Sequence, residues 1–422
     1  MPADATTRKG ISSFPVFLPD GRRFLYLVAG FSGEQNGVYM SSLDGKVNQR
    51  VLADVSNVVV SANRLLFIRD NTLMTQQFDV SSGQVRGEVL PVAEGMSLTT
   101  NLAYAPVSVS ETGVLVYQPG GIGGQNNQMA FYDRTGKLLQ EIGPAGRVLD
   151  PAISPDEKSV VFRRLSAAGG DLWLWDLTRV TEQRLTTHPS INFAPFWSPT
   201  SDRVVFASNR GGGINLYEKA ANGTEPDKLL LASEDSKFPN QCSRDGRFVV
   251  SSVNDPKTKV DIWVLPMDGA SDRKPFAFLH SEFNELFGQL SPDSHWMAYT
   301  SDESEQREVY VRPFPAGEGK RKVSIDGGEQ PRWRGDGNEL FFVGADRKMM
   351  SVLFKSSAGA TSFLELTTPQ SLFETHLAHG PADNVFQYDV TPDGKRLLLN
   401  TTVSASAPIL NVETNWDAGL KK

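Results

Sequence analysis

Asn101, Asp150, Asn192, Asn240, Asn284, Glu285, Glu329 and Asn384 recur at one phase of a repeating sequence, just before or within the first strand of successive units. If these strands line a central channel, the side chains form a ring of amide and carboxylate oxygens at its mouth. Such a ring would suit Ca²⁺, a hard cation that takes six to eight oxygen ligands. Asp150, Glu285 and Glu329 carry the charge the ion needs and are its candidate metal ligands. A bound Ca²⁺ would polarise a lactone or phosphoester oxygen as a Lewis acid. The competing reading is a solvated polar rim that needs no cofactor and binds a ligand without reacting with it.

Other residue types offer less. Asp20, Asp156, Asp245, Asp293, Asp336 and Asp393 repeat regularly, but each stands in a Pro-Asp-Gly-like phrase, where Asp accepts backbone N–H bonds in a tight turn. Gly30-Phe31-Ser32-Gly33 lacks the spacing and the strand-turn-helix context of a nucleophile elbow. His376-Leu377-Ala378-His379 has metal-like spacing without the helix and Glu of a zincin. Trp173, Trp175, Trp197, Trp263, Trp296, Trp333 and Trp416 fall mostly on predicted strands, where packing between repeats explains them.

The elements that position these residues follow from the repeat itself. Its phrase is an apolar residue, Pro, an aromatic, Ser-Pro-Asp-Gly, a charge and an apolar run. Clear copies include Asp150-Pro151-Ala152-Ile153-Ser154-Pro155-Asp156 and Gln330-Pro331-Arg332-Trp333-Arg334-Gly335-Asp336-Gly337. Neighbouring copies lie about 43 to 48 residues apart, a period of stacked supersecondary units. One unit reads as four strands: 193–198, 203–208, 214–219 and 228–232, joined by turns at Pro199, Asn209-Arg210-Gly211 and Asn222-Gly223. Four short strands per repeat, with no helical period, predict an all-β fold, a β-propeller of four-stranded blades.

Nine blade-like units begin near Phe14, Ser56, Tyr104, Asp150, Phe193, Phe238, Leu286, Gln330 and Phe386. The favoured division puts three partly degenerate units in 1–149 and a six-bladed propeller in 150–422. The ninth unit reads as ending with its third strand, Pro408 to Trp416, so a strand from elsewhere must complete it and remove the sheet edge. For a six-bladed ring the donor is Lys137 to Ile142; for a single larger ring of nine it is Ala5 to Ile11.

Composition narrows the classes. The 422 residues carry a net charge of −7, which argues against nucleic acid as a partner. Cys242 is the only cysteine, so no intrachain disulfide forms; that fits a reducing compartment and export equally. No apolar run is long enough to span a bilayer, and Met1 to Ser13 shows no apolar signal-peptide core.

Three phrases go beyond a generic repeat: Ser301-Asp302-Glu303-Ser304 followed by Arg307-Glu308-Val309-Tyr310-Val311-Arg312-Pro313-Phe314-Pro315; Gly327-Gly328-Glu329-Gln330-Pro331-Arg332-Trp333; and Tyr388-Asp389-Val390-Thr391-Pro392-Asp393-Gly394-Lys395-Arg396. On these the chain resembles the TolB-like, WD-repeat-like propellers found C-terminal to bacterial serine/threonine protein kinases. The resemblance implies a sensor or docking module for a protein, peptide or small ligand, extracytoplasmic or periplasmic in its setting. It supplies no catalytic residues. The Gly-rich loop, the His-Arg-Asp loop and the Asp-Phe-Gly that kinase chemistry requires are all missing, so the chain is not itself a kinase. The alternative is a calcium-dependent propeller hydrolase of the lactonase or phosphotriesterase type.

Overall fold

The computed structural model describes residues 11–29 and 35–418, apart from 62, 97, 99–103, 120–125, 167–168, 212, 233–234, 256, 268–273, 318, 358–362, 379–384 and 404–409. The described residues contain strands and turns and no helix, as the period-two alternation predicts. They fall into two compact units, 126–403 and 1–125 with 404–422.

The larger unit is a ring of six antiparallel blades. Blade one comprises Val148–Ile153, Ser159–Ser166, Gly169–Asp176 and Thr181–Arg184. Blades two, three and four repeat this meander from Asn192–Trp197, Ser236–Cys242 and Glu285–Leu290. Blade five starts at Gly328–Trp333, and both Phe363–Leu366 and Gln370–Glu374 pair with its third strand, Lys348–Ser357. Blade six takes Tyr388–Val390 and Arg396–Thr402 from the end of the chain. Asn127–Asp133 and Leu138–Gly146 complete it from the start of the unit.

Apolar strand faces fill every gap between blades. Between blades four and five lie Trp296, Val309, Val311, Leu340, Phe342 and Phe354. Across the closure, Phe131, Ile142 and Leu398 of blade six pack on Val148, Phe162 and Trp175 of blade one. Buried apolar area of this kind is worth about 25 cal/mol per Å², so an unclosed ring would forfeit one whole interface.

The expected donor, Lys137 to Ile142, therefore does join the last blade, but as part of the outermost of two donated strands. The unit boundary falls at Gln125/Asn126 and not at 149/150. The expected third strand of the ninth unit is also placed differently: Asn411–Thr414 leaves the ring and pairs with Val114–Tyr117 of the smaller unit. The reason is an exchange of strands. The third repeat gives two strands to the ring and keeps two, Val107–Val109 and Val114–Tyr117, which the C-terminal segment then covers. Trp416 packs there with Leu66, Leu73, Leu115 and Tyr117. The smaller unit also holds two four-stranded sheets, starting at Ile11–Phe17 and Val59–Ser61.

The repeated phrase builds two devices. Its Ser-Pro-Asp part is the tight turn. In blade one the Ser159 N–H donates to Ser154 Oγ at 2.9 Å, Ser154 Oγ donates to Asp156 Oδ1 at 2.7 Å and the Lys158 N–H donates to the same oxygen at 3.2 Å. Ser243 with Asp245 and Thr391 with Asp393 repeat it. The apolar-Pro part is a β-bulge. Asp150, Ala194, Phe287 and Gln330 have φ of 54, 49, 59 and 58°, and the first-strand register slips at each. The residue after each is Pro or Gly; a proline costs no ladder bond there, because the bulge leaves one N–H unpaired.

Candidate functional site

The bulges turn first-strand side chains into the channel of the larger unit, where they line a pocket with about 290 Å³ of atom-free space, open solvent included. Pro151, Pro195 and Pro239 form rigid walls, and Val385 and Phe386 close one side. The polar groups that reach it are Asp150, Asn240 and Arg332.

Asp150 is buried and committed. Its Oδ2 accepts the Ala194 N–H at 3.0 Å and lies 3.0 Å from Arg163 Nε. Asn240 accepts the Ser252 hydroxyl at 2.9 Å through its side chain and a Gln289 amide N–H at 3.2 Å through its carbonyl. Arg332 differs. Its guanidinium carbon lies 3.6 Å from the centroid of the Phe386 ring, and Nη1 donates to Gln289 Oε1 at 3.3 Å. Its Nε is buried, makes no hydrogen bond and stands 3.5 Å from Asp389 Oδ1. Both oxygens of Asp389 already accept backbone N–H bonds, from Ile153 and from Val390. The mouth thus holds an arginine that is ion-paired with Asp389 and bonded to Gln289, with its Nε outside any hydrogen bond.

The remaining expected residues sit outside this pocket. Asn192 is buried and accepts from Arg210 Nη2 at 2.7 Å. Asn284 donates to both oxygens of Asp302, at 2.8 and 2.6 Å. Glu329 accepts from Arg307 Nη1 at 2.8 Å. Glu285 is buried and accepts the Ser281 hydroxyl, and its Oε2 has no protein partner. Burial, with the nearby charges of Asp261, Glu303 and Asp302, pushes the Glu285 carboxyl up to about 7. Asn101 and Asn384 lie outside the described residues, as does His379.

Asp150, Glu285 and Glu329 are not gathered as a calcium site would require. Two of the three are each turned onto an arginine, because a buried carboxylate without a partner is costly. Among the described residues the trio of metal-type ligands whose atoms lie within 4.8 Å of one another is Asp255, Asp261 and His280. The lone thiol offers no nucleophile, since burial pushes Cys242 up to about 12.

Residues 134–274 match the model of the TolB beta propeller domain. Unit 126–403 is a TolB-like propeller. The Tol-Pal system protein TolB of Nitratidesulfovibrio vulgaris is 28% identical over 133 residues, 30% of this chain and 28% of that protein. An uncharacterised protein of Agrobacterium fabrum is 24% identical over 152 residues, 35% of this chain and 52% of its own length. The chain spans about half or less of the curated relatives it matches. A solved structure assigned as TolB from Agrobacterium tumefaciens superposes with a TM-score of 0.50 at 15% identity, covering 67% of this chain and 99% of its own. That likeness concerns the fold. Among the described residues no helix is long and apolar enough to cross a membrane.

Sequence reasoning reached Asp150 and Asn240 and missed Arg332 and Phe386. Arg332 was visible only as a cation directly after a repeat proline, the position occupied by Ala152 and Phe196 in other copies.

Proposed function

We propose that the chain is a non-catalytic propeller that binds a protein partner, taking a carboxylate-bearing extended segment of that partner into the channel mouth of unit 126–403. The observation that carries this reading is the Arg332 guanidinium at the pocket wall, stacked on Phe386, whose Nε is ion-paired with Asp389 but makes no hydrogen bond. A guanidinium fork matches a carboxylate geometrically, and stacking on an aromatic ring holds it in place for binding. The proline walls favour a segment over a bulky folded surface, because they are rigid. Two relatives bear the name of Tol-Pal system proteins, which suits work as one component of a multiprotein system. An extracytoplasmic setting, as the family resemblance implies, belongs to the same proposal.

The test places a photo-crosslinking amino acid at Val385 in the host cell. The expected result is one crosslinked protein, mapped to a single short segment containing Asp, Glu or a C-terminus, and its loss in Arg332→Ala. Crosslinks that persist in Arg332→Ala, or the absence of any, would overturn the reading.

A further inference from the structure

Blade three carries a second polar cluster, made of residues that do not line the channel pocket. Its second strand, Phe248–Asp255, ends at Asp255, and the hairpin leads into Lys259–Pro266, whose third residue is Asp261. The fourth strand, Phe276–Leu279, is followed directly by His280. Two ladder pairings, Asp255 with Lys259 and Ile262 with Leu279, bring the three side chains to one end of the blade.

From this geometry we infer that Asp255, Asp261 and His280 form a binding site for a divalent first-row transition metal of the Zn²⁺ type. His280 Nε2 lies 3.5 Å from Asp261 Oδ2 and 4.0 Å from Asp255 Oδ2. No hydrogen bond joins the imidazole to either carboxylate, although both lie within ion-pair range of a protonated His280. The shorter is close to the ligand–ligand edge of about 3.3 Å expected around a tetrahedral ion with bonds near 2.0–2.1 Å, and the longer would have to close slightly. One ligand atom of each of the three groups lies within 4.8 Å of the other two.

A second observation points the same way. Asp261 is fully buried, yet its Oδ1 accepts no hydrogen bond. Buried carboxylate oxygens without a partner are rare because the desolvation is uncompensated. The other oxygens are already oriented as metal ligands usually are, by outer hydrogen bonds. Asp261 Oδ2 accepts the Thr258 hydroxyl at 2.7 Å, and Asp255 Oδ1 accepts the Lys257 N–H at 2.7 Å. The neighbouring Glu285 likewise leaves its Oε2 without a protein partner.

The donor set chooses the metal. One imidazole nitrogen with two carboxylate oxygens suits Zn²⁺, with Mn²⁺ weaker in the same site, whereas Ca²⁺ asks for an all-oxygen cage. His280 is half exposed and Asp255 about a quarter exposed, so the fourth position opens to solvent. The ion would tie the hairpin tip of blade three to the segment that leads into blade four.

The experiment is calorimetric titration of the chelator-stripped full chain with ZnCl₂, MnCl₂ and CaCl₂, on the wild type, His280→Ala and Asp261→Asn. The expected result is one Zn²⁺ site at micromolar affinity or tighter, weaker Mn²⁺, and little calcium heat. Loss of the exposed His280 ligand should weaken Zn²⁺ at least about 100-fold while leaving the circular dichroism unchanged. Substituting Co²⁺ for Zn²⁺ should give visible d–d bands that vanish in His280→Ala, which reads out the site without relying on the buried Asp261. No saturable Zn²⁺ heat in the wild type would overturn the assignment, as would Zn²⁺ binding unaltered in His280→Ala or Ca²⁺ binding tighter than Zn²⁺.

Discussion

At the residue scale, the repeated aspartates act through their turns. Burial alone would raise Asp156, Asp245, Asp293 and Asp393. The hydroxyl and backbone N–H groups that bond to them outweigh it, and the carboxyls lie below the usual range. At Asp336 the Arg334 guanidinium dominates and, with the Asn338 N–H, holds the carboxyl at about 2 against burial. A depressed folded-state pKa gives stability that is present above the unfolded value of 3.8 and is lost as pH falls toward 2. Asp336→Asn should therefore lower the melting temperature at pH 7, and the gap from wild type should shrink steadily between pH 4 and pH 2. Melting curves across that range check it; a gap that stays constant would show that the carboxylate charge is idle in the turn.

At the element scale, the packing of blade on blade rests on aromatic residues just before the turns. Trp197 Nε1 donates to the Ala152 carbonyl of blade one at 3.0 Å, and Trp333 Nε1 donates to the Gln289 carbonyl of blade four at 3.1 Å. Trp197 is buried among Val161, Leu174, Val204 and Phe206, and Trp333 meets Phe354 edge-on with centroids 4.6 Å apart. Each Trp→Ala substitution should destabilise by about 3 kcal/mol or more, because it opens a cavity and strands a carbonyl acceptor. Denaturant midpoints of the two variants decide this; if both equal wild type, the shared slot does not hold blades together.

At the scale of the whole molecule, the ring depends on strands that precede it in the chain. Asn127–Asp133 pairs along the full length of Arg396–Thr402, and Asn127 and Asn400 both donate side-chain N–H bonds to the Val148 carbonyl at 2.9 Å. A fragment spanning 126–403 should unfold in one cooperative transition. A fragment spanning 147–403 lacks half of blade six and should show no cooperative transition, since an uncovered central strand leaves both a polar edge and an apolar face in water. Equal midpoints for the two fragments would mean that the donated strands are dispensable.

The local chemistry is legible in the order of the residues. Ser154-Pro155-Asp156 and its copies encode tight turns, and the alternation in 203–208 encodes strands, because turn dihedrals and side-chain alternation depend on few neighbouring residues. The repeat period with four strands per unit was enough to read a propeller and to favour six blades. Tertiary structure alone decided the partner of each edge. Val114–Tyr117 pairs with Asn411–Thr414, some three hundred residues away, and no local pattern specifies so distant a register. The site divides in the same way. Asp150 was legible as a channel residue because its strand position is local information. Its commitment to Arg163, the stacking of Arg332 on Phe386 and the meeting of Asp255, Asp261 and His280 depend on which strand ends the closed ring brings together.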